Sequence, residues 1–195
     1  MDLPDLYVIR HGETEWNAEG RWQGAFDSPL TAKGEAQARA LGRLLASRGV
    51  AQSHALWCSP QGRARRTAEI IAEVAGWPTP PREDARLREI DVGRWTGCTR
   101  EDILGEEPDA EDMHFLDLYA RAPGGEGFDA LWRRATAVLE GLAGPAVLVT
   151  HGITSRVLRT AAMGYEEDRL SELPGGQGVA HFLSSGAHEE LRPAD

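Results

Sequence analysis

The chain has 195 residues, of which 41% are hydrophobic and 27% charged, and a formal net charge of -10. That length suits one compact domain, expected over 1–195, that buries roughly 70% of its unfolded surface, and the balance is globular rather than disordered. The negative charge excludes a dedicated nucleic-acid binder but not a small anionic ligand in a locally positive pocket.

In chain order, Leu6-Tyr7-Val8-Ile9 is a short apolar run and reads as a buried strand. Residues 31–47 read as a helix, with Thr31 as N-cap and Ala36, Ala40, Leu41, Leu44 and Leu45 on its buried face. Ala55-Leu56-Trp57-Cys58 is a second strand. Ser59 and Pro60 then read as N-cap and first residue of a helix running through Ile70, Ile71 and Val74 to Gly76. The stretch 100–127 breaks the alternation. Its 101–117 part carries eight acids (Glu101, Asp102, Glu106, Glu107, Asp109, Glu111, Asp112, Asp117), the stretch also holds a few apolar residues, Tyr119 among them, and it is expected to be a helical insertion or lid. Asp129 to Leu142 is amphipathic. Ala146 to Val149 is a third strand, followed directly by His151-Gly152 and a helix through Val157, Leu158 and Ala161. Val179 to Leu183 reads as a fourth strand and Glu189 to Leu191 as a fifth. Pro123–Gly127 and Pro174–Gly178 are similar glycine-rich turns, and neither continues into the Lys-Ser/Thr of a phosphate loop.

Strand–helix alternation predicts an α/β fold: a three-layer α/β/α sandwich with a mostly parallel central sheet. The acidic insertion is expected over the strand C-terminal ends, where ligands of open α/β sheets sit. No stretch is apolar enough to span a membrane, and Met1–Asp5 lacks the basic start and apolar core of a secretory signal. Two cysteines, Cys58 and Cys98, make no disulfide framework, so a cytoplasmic setting is expected.

Two apolar strands end alike, in Arg10-His11-Gly12 and in Thr150-His151-Gly152. If the strands are neighbours, both imidazoles project into one crevice. Arg10 needs an anion or carboxylate at the end of its strand. Arg63, about one turn into a helix whose N-terminus faces the same ends, adds a donor fork matched to phosphate oxygens. Together these residues predict an oxyanion site for a phosphoryl group. A metal site is disfavoured, because there is no His-Glu-x-x-His and no cysteine pair at zinc spacing. A serine hydrolase is disfavoured by the absence of a Gly-x-Ser-x-Gly elbow.

The run Arg10-His11-Gly12-Glu13-Thr14-Glu15-Trp16-Asn17 resembles the signature of the histidine phosphatase superfamily, phosphoglycerate mutase-like branch. The resemblance continues through Arg21-Trp22-Gln23-Gly24, Asp27–Thr31, Ser59-Pro60 with Arg63 and Thr67-Ala68, Leu87-Arg88-Glu89 with Gly93 and Trp95, Pro123–Glu126 and Val149–Gly152. It implies that His11 is the nucleophile, that Arg10, Arg63 and His151 hold the phosphoryl oxygens, and that Glu89 is general acid and then base. It also implies substrate contacts from Asn17, Gln23, Gly24 and Gly152, and no metal or cofactor. The function implied is a metal-independent phosphomonoesterase acting on a small phosphorylated substrate, with no nucleic acid or membrane partner and a homodimer left open. The alternatives are a cofactor-dependent phosphoglycerate mutase and a non-catalytic phospholigand-binding protein on the same fold. The acids of residues 101–117 are expected to face the substrate and to select against multiply anionic esters.

Overall fold

The inner strands are apolar on both faces because helices cover both faces. The computed structural model describes residues 3–193; Met1 and Asp2, part of the stretch read for a secretory signal, lie outside them. The elements are β1 (Leu6–Arg10), α1 (Glu15–Ala18), α2 (Ala32–Ser47), β2 (Ala55–Cys58), α3 (Gly62–Ala75), β3 (Arg82–Glu83), α4 (Arg100–Glu106), α5 (Phe115–Arg121), α6 (Phe128–Glu140), β4 (Ala146–Thr150), α7 (Gly152–Ala162), β5 (Ala180–Ser184) and β6 (Ala187–Leu191). The sheet order is β3-β2-β4-β1-β5-β6. The first four strands run parallel, and β5 and β6 are added antiparallel. The fold is the expected α/β architecture with a mostly parallel central sheet.

Strand alternation divides the core in two. Leu6, Val8 and Leu148 face α6, α7 and the insertion. Tyr7, Ile9, Val147 and Val149 face α2 and α3. The insertion is anchored in the first core by Ile103, Leu116 and Leu118. The eight acids of residues 101–117 turn outward: seven are exposed and Glu107 is half-buried.

Three local expectations differ from the structure. The buried face of α2 is Gly34, Ala38, Leu41, Gly42 and Leu45, whereas Ala36 is exposed and Ala40 and Leu44 are half-buried. The cause is close backbone packing: a Cβ on Gly42 would stand 2.7 Å from Val74 Cβ, and one on Gly12 2.3 Å from the Gly34 carbonyl oxygen. The stripe runs through glycines, which apolar periodicity does not register. The helix α3 begins at Gly62 with Gln61 as N-cap, not at Pro60 with Ser59. The two-residue strand β3 is exposed and charged, so it carries no apolar signal.

Among the described residues, no helix is long and apolar enough to cross a membrane.

Buried histidines set an acid limit on this fold. His181 on β5 is 2% exposed, with Nδ1 3.3 Å from Arg159 Nη1 and 3.2 Å from His188 Nε2. Burial and then Arg159 push its pKa down to about 3. An unfolded histidine titrates near ~6.5, so below that pH the unfolded chain binds a proton that the native state refuses. Stability should therefore be full above ~6.5 and fall as pH drops, by about 1.4 kcal/mol per pH unit for each such histidine. Urea unfolding between neutral pH and the folded-state value checks this. The variant His181→Gln should lose one histidine's share of the slope, and an unchanged slope would contradict the account.

Candidate active site

Register sets the site. Arg10 pairs with Thr150, and Cys58 with Val149. His11 and His151, just beyond their strand ends, therefore stand side by side, and Ser59, level with Thr150, lies one residue short of them on the next strand. The His11 and His151 rings meet edge to face, with centroids 5.2 Å apart. On the far side, Ser59 Oγ lies 2.8 Å from His151 Nε2. From β1 the chain leaves toward α2 on one face of the sheet, and from β4 toward α7 on the other, which opens a crevice between them.

His11 Nδ1 is 2.7 Å from the Gly12 carbonyl oxygen. A carbonyl only accepts, so Nδ1 carries the proton and Nε2 keeps its lone pair. That nitrogen accepts from Arg63 Nε at 3.3 Å. Burial, then Arg10 and Arg63, hold the His11 pKa well below the usual histidine value. Burial, then Arg63 and His11, do the same for His151. Both imidazoles are neutral at neutral pH.

Arg63 lies in the first turn of α3 and is 2% exposed. Its Nη1 donates to the Phe26 carbonyl at 2.5 Å and to Asp27 Oδ1 at 2.8 Å, and its Nη2 to the Gly24 carbonyl at 3.0 Å. Asp27 also accepts from the backbone N–H groups of Gly62 at 2.5 Å and Arg63 at 3.2 Å. The helix N-terminus expected to meet an external anion is thus capped by the protein's own carboxylate. Arg10 differs: its Nε is buried without a hydrogen-bond partner among the described residues. Burial lowers the pKa of both guanidiniums from the usual value, and Glu89 opposes the effect.

Glu89 Oε1 accepts from Ile90 N at 3.1 Å, Thr154 N at 3.0 Å and Thr154 Oγ1 at 3.0 Å, while Oε2 accepts from Ile153 N at 3.2 Å. Ile153 and Thr154 lie in the first turn of α7, whose N-cap residue His151 makes no side-chain cap. Glu89 therefore satisfies N–H groups that this helix would otherwise leave without partners.

A cavity of 220 Å³ joins these groups, lined by Arg10, His11, Asn17, Gly20, Arg21, Trp22, Gln23, Gly24, Arg63, Glu89 and Tyr119. Of the residues expected at the site, His151 and Gly152 are not on this wall. His151 stands behind His11, and a Cβ on Gly152 would lie 3.4 Å from Arg10 Cζ. Gln23 Nε2 donates to Thr14 Oγ1 at 2.8 Å. None of the eight acids of residues 101–117 lines the cavity, so they do not face a ligand there as expected. The insertion contributes Tyr119, whose ring stacks on Trp22 with centroids 4.0 Å apart and planes within 9°. Among the described residues no group of three or more His, Cys, Asp or Glu side chains is placed to hold a metal ion.

The family model for the histidine phosphatase superfamily (branch 1) matches residues 6–184. The chain belongs to that superfamily. A Klebsiella pneumoniae protein named "Probable phosphoglycerate mutase GpmB" is 42% identical over 175 residues, which cover 85% of this chain and 79% of that one. The solved structure of Bacillus stearothermophilus YhfR is 36% identical, with a TM-score of 0.79 over 95% of this chain and 94% of that one. The mycobacterial glucosyl-3-phosphoglycerate phosphatase Rv2419c, solved with VO3, is 29% identical, with a TM-score of 0.80 over 98% of this chain and all of that one, 100%. The chain is an enzyme of a superfamily whose members above include one named as a probable phosphoglycerate mutase and one named as a phosphatase.

Three residues at the site escaped sequence reasoning as contributors. Asp27 sits in a loop, and the resemblance over Asp27–Thr31 gives it no role of its own. Ser59 was read as a helix cap, and Tyr119 as apolar filler in an acidic stretch. The Asp27 geometry makes a prediction. Removing a helix cap costs about 0.5–2 kcal/mol. Asp27 keeps 40% of its side chain exposed, so Asp27→Ala should fall near about 1 kcal/mol in denaturant unfolding. Asp27→Asn, which still accepts from both N–H groups, should recover most of it. Equal losses for the two variants would mean that charge, not capping, is what matters.

Proposed function

We propose that the chain is a metal-independent phosphomonoesterase that works through a phosphohistidine. The observation that carries this reading is the state of His11: Nδ1 is tied to the Gly12 carbonyl, so Nε2 keeps its lone pair, which accepts from Arg63 Nε at the wall of a cavity that also holds Arg10. The Nε2 pair attacks phosphorus, the bond from phosphorus to the ester oxygen breaks, and Glu89 gives the leaving oxygen its proton. In the second half Glu89 takes a proton from water, the water oxygen attacks the phosphohistidine, and the N–P bond breaks back onto Nε2. Arg10 and Arg63 hold the phosphoryl oxygens, with Asn17, Gln23 and Gly24 as neutral partners; His151 backs the His11 ring from behind the cavity wall, and Gly152 leaves room beside Arg10. Fixed guanidinium charge does what a metal ion would otherwise do. The reading takes 1–195 as one domain, 100–127 as an insertion or lid within it, and the substrate as a small cytoplasmic phosphoester.

The curated relatives' name favours a second reading, phosphoglycerate mutase. A mutase must hold a second anionic group beside the phosphoryl. The additional cation on the cavity wall, Arg21, is bonded to Glu19 at 2.7 Å, and the insertion's contribution to that wall is a phenol. These features favour the hydrolase.

Two measurements test the reading. Rapid quench with labelled ester, in the presence of a chelator, should trap an acid-labile, alkali-stable phosphoenzyme that His11→Ala abolishes. Inorganic phosphate should be the product, even with 2,3-bisphosphoglycerate and 3-phosphoglycerate supplied. Label on another residue, or dependence on added metal, would overturn the mechanism; transfer between the glycerates would establish the mutase instead. Removing a general acid costs about 10²–10⁴ in rate. The deficit of Glu89→Gln should therefore be large for alkyl esters and should shrink for p-nitrophenyl phosphate, whose leaving group needs less protonation. An equal deficit for both would make Glu89 a positioning group.

A further inference from the structure

Two arginines on α7 are drawn inward without a carboxylate partner among the described residues. Arg159 is 1% exposed. Its Nη2 donates to the Pro174 carbonyl at 2.7 Å and its Nε to the Ser155 carbonyl at 3.1 Å, and Nη1 lies 3.3 Å from His181 Nδ1. Arg156, half-buried, donates from Nε to the Leu173 carbonyl at 3.2 Å. Its guanidinium packs so closely on Gly175 that a Cβ there would meet Nη2 at 2.3 Å. Both side chains hold one segment, 173–178, which contains the glycine-rich turn that the sequence left as a plain connection. Burying a charge is costly, and here three donors of the two cations go to main-chain carbonyls, two of them in this segment, rather than to carboxylates.

The far end of this strap reaches the cavity. Gln177 Nε2 donates to Asn17 Oδ1 at 2.8 Å. The same oxygen accepts from Thr14 N at 3.3 Å. A backbone N–H can only donate, so the Asn17 atom facing Thr14 must be oxygen, and Gln177 must offer its NH₂ group. Turning the Asn17 amide over would set its own N–H groups against both donors. The amide is held in one orientation. Its other branch, Nδ2, has no protein partner among the described residues, and Asn17 lines the cavity.

We infer that Gln177 is a positioning residue: the strap 173–178 locks the Asn17 amide so that Nδ2 donates to a phosphoryl oxygen in the cavity. The inference rests on the reading of that cavity as a phosphoryl site and extends it to a segment outside the His11 and His151 strand ends. The gain is orientation before binding, not an added contact to the ligand.

The test is the affinity of the full chain for inorganic phosphate, measured by calorimetry. It compares the unmodified protein, Gln177→Ala, Gln177→Glu, Asn17→Ala and the double variants, with thermal unfolding as a check on folding. Losing one oriented neutral hydrogen bond should weaken phosphate about three- to tenfold in Gln177→Ala. Gln177→Glu has the same size but can only accept, so it should bind at least as weakly; it also serves if the alanine variant folds poorly. In the Asn17→Ala background neither change should weaken phosphate further, a non-additivity that a merely structural role does not produce. Wild-type affinity in Gln177→Glu, or the same loss with and without the Asn17 amide, would overturn the inference. The probe is not an ester, so a protein that shows this cycle yet hydrolyses nothing loses the hydrolase reading and keeps the inference. If Arg63→Ala leaves phosphate affinity unchanged, the phosphoryl-site reading falls, and the inference with it.

Discussion

Arg63 is a cation buried against an uncharged imidazole, and much of the site follows from satisfying it. Its N–H groups need acceptors where water does not reach. The loop of residues 24–27 supplies them with the carbonyls of Gly24 and Phe26 and the carboxylate of Asp27. The remaining Nε faces His11 Nε2, which can accept only while the ring is neutral. Protonating His11 would break that bond and add a third positive charge beside Arg10 and Arg63. Burial and the two guanidiniums therefore act together to keep a lone pair on the nitrogen that faces the cavity. The same carboxylate that steadies Arg63 also caps α3, so the helix and the guanidinium are positioned by one loop residue.

The sheet decides which groups can share this space. Parallel pairing of β1 with β4 brings His11 and His151 to one level, and that of β4 with β2 puts Ser59 within reach of His151. A slip of one residue in β1 would turn Val8 and Leu6 toward the wrong core and swing His11 away from His151. Register is held because both faces are buried: an apolar side chain has no solvent side to turn to. The backbone contact between Gly12 and Gly34 then presses the loop after β1 onto α2, and Thr67 Oγ1 accepts from Gly12 N at 3.1 Å to tie the same loop to α3.

This explains what could be read in advance. The inner strands and the helices that cover them are written in apolar periodicity, because burial on two faces leaves a local record. The paired histidines are legible for the same reason: each follows a strand that burial makes visible. Glu89, Gln23 and Gly24 lie in loops and Asn17 in the four-residue helix α1, and only resemblance to the superfamily points to them. Asp27 and Gln177 act by reaching across the fold, and neither composition nor spacing records a partner so distant in sequence. The α2 face was misread because glycine scores as neither apolar nor polar, though backbone contact made it the buried stripe. The stretch 100–127 does form helices, α4 and α5, but its acids do not face the cavity as expected. Its acids dominate the composition, but Ile103, Leu116 and Leu118 are what anchor it, and they turn the acids to solvent and Tyr119 to the cavity.

The outward acids bear on how a locally positive pocket works in a protein of net charge -10. At long range the chain repels an anion. Surface charges are screened beyond about 8 Å at physiological ionic strength, so that repulsion is weak until the ligand is close. Inside the cavity the ordering reverses. Arg10 and Arg63 lie in low-dielectric surroundings, where their attraction is strong and salt reaches poorly. The cavity wall adds groups of another kind, the Asn17 amide and the Tyr119 phenol, that can donate a hydrogen bond without adding charge. Two guanidiniums roughly balance one phosphate dianion, and a further dianion would meet a wall whose remaining cation, Arg21, is already engaged with Glu19. On the proposed reading, affinity for one phosphoryl group and indifference to a second are the same property of the wall: its charge is concentrated at one end, and hydrogen-bonding capacity without charge lies beyond it.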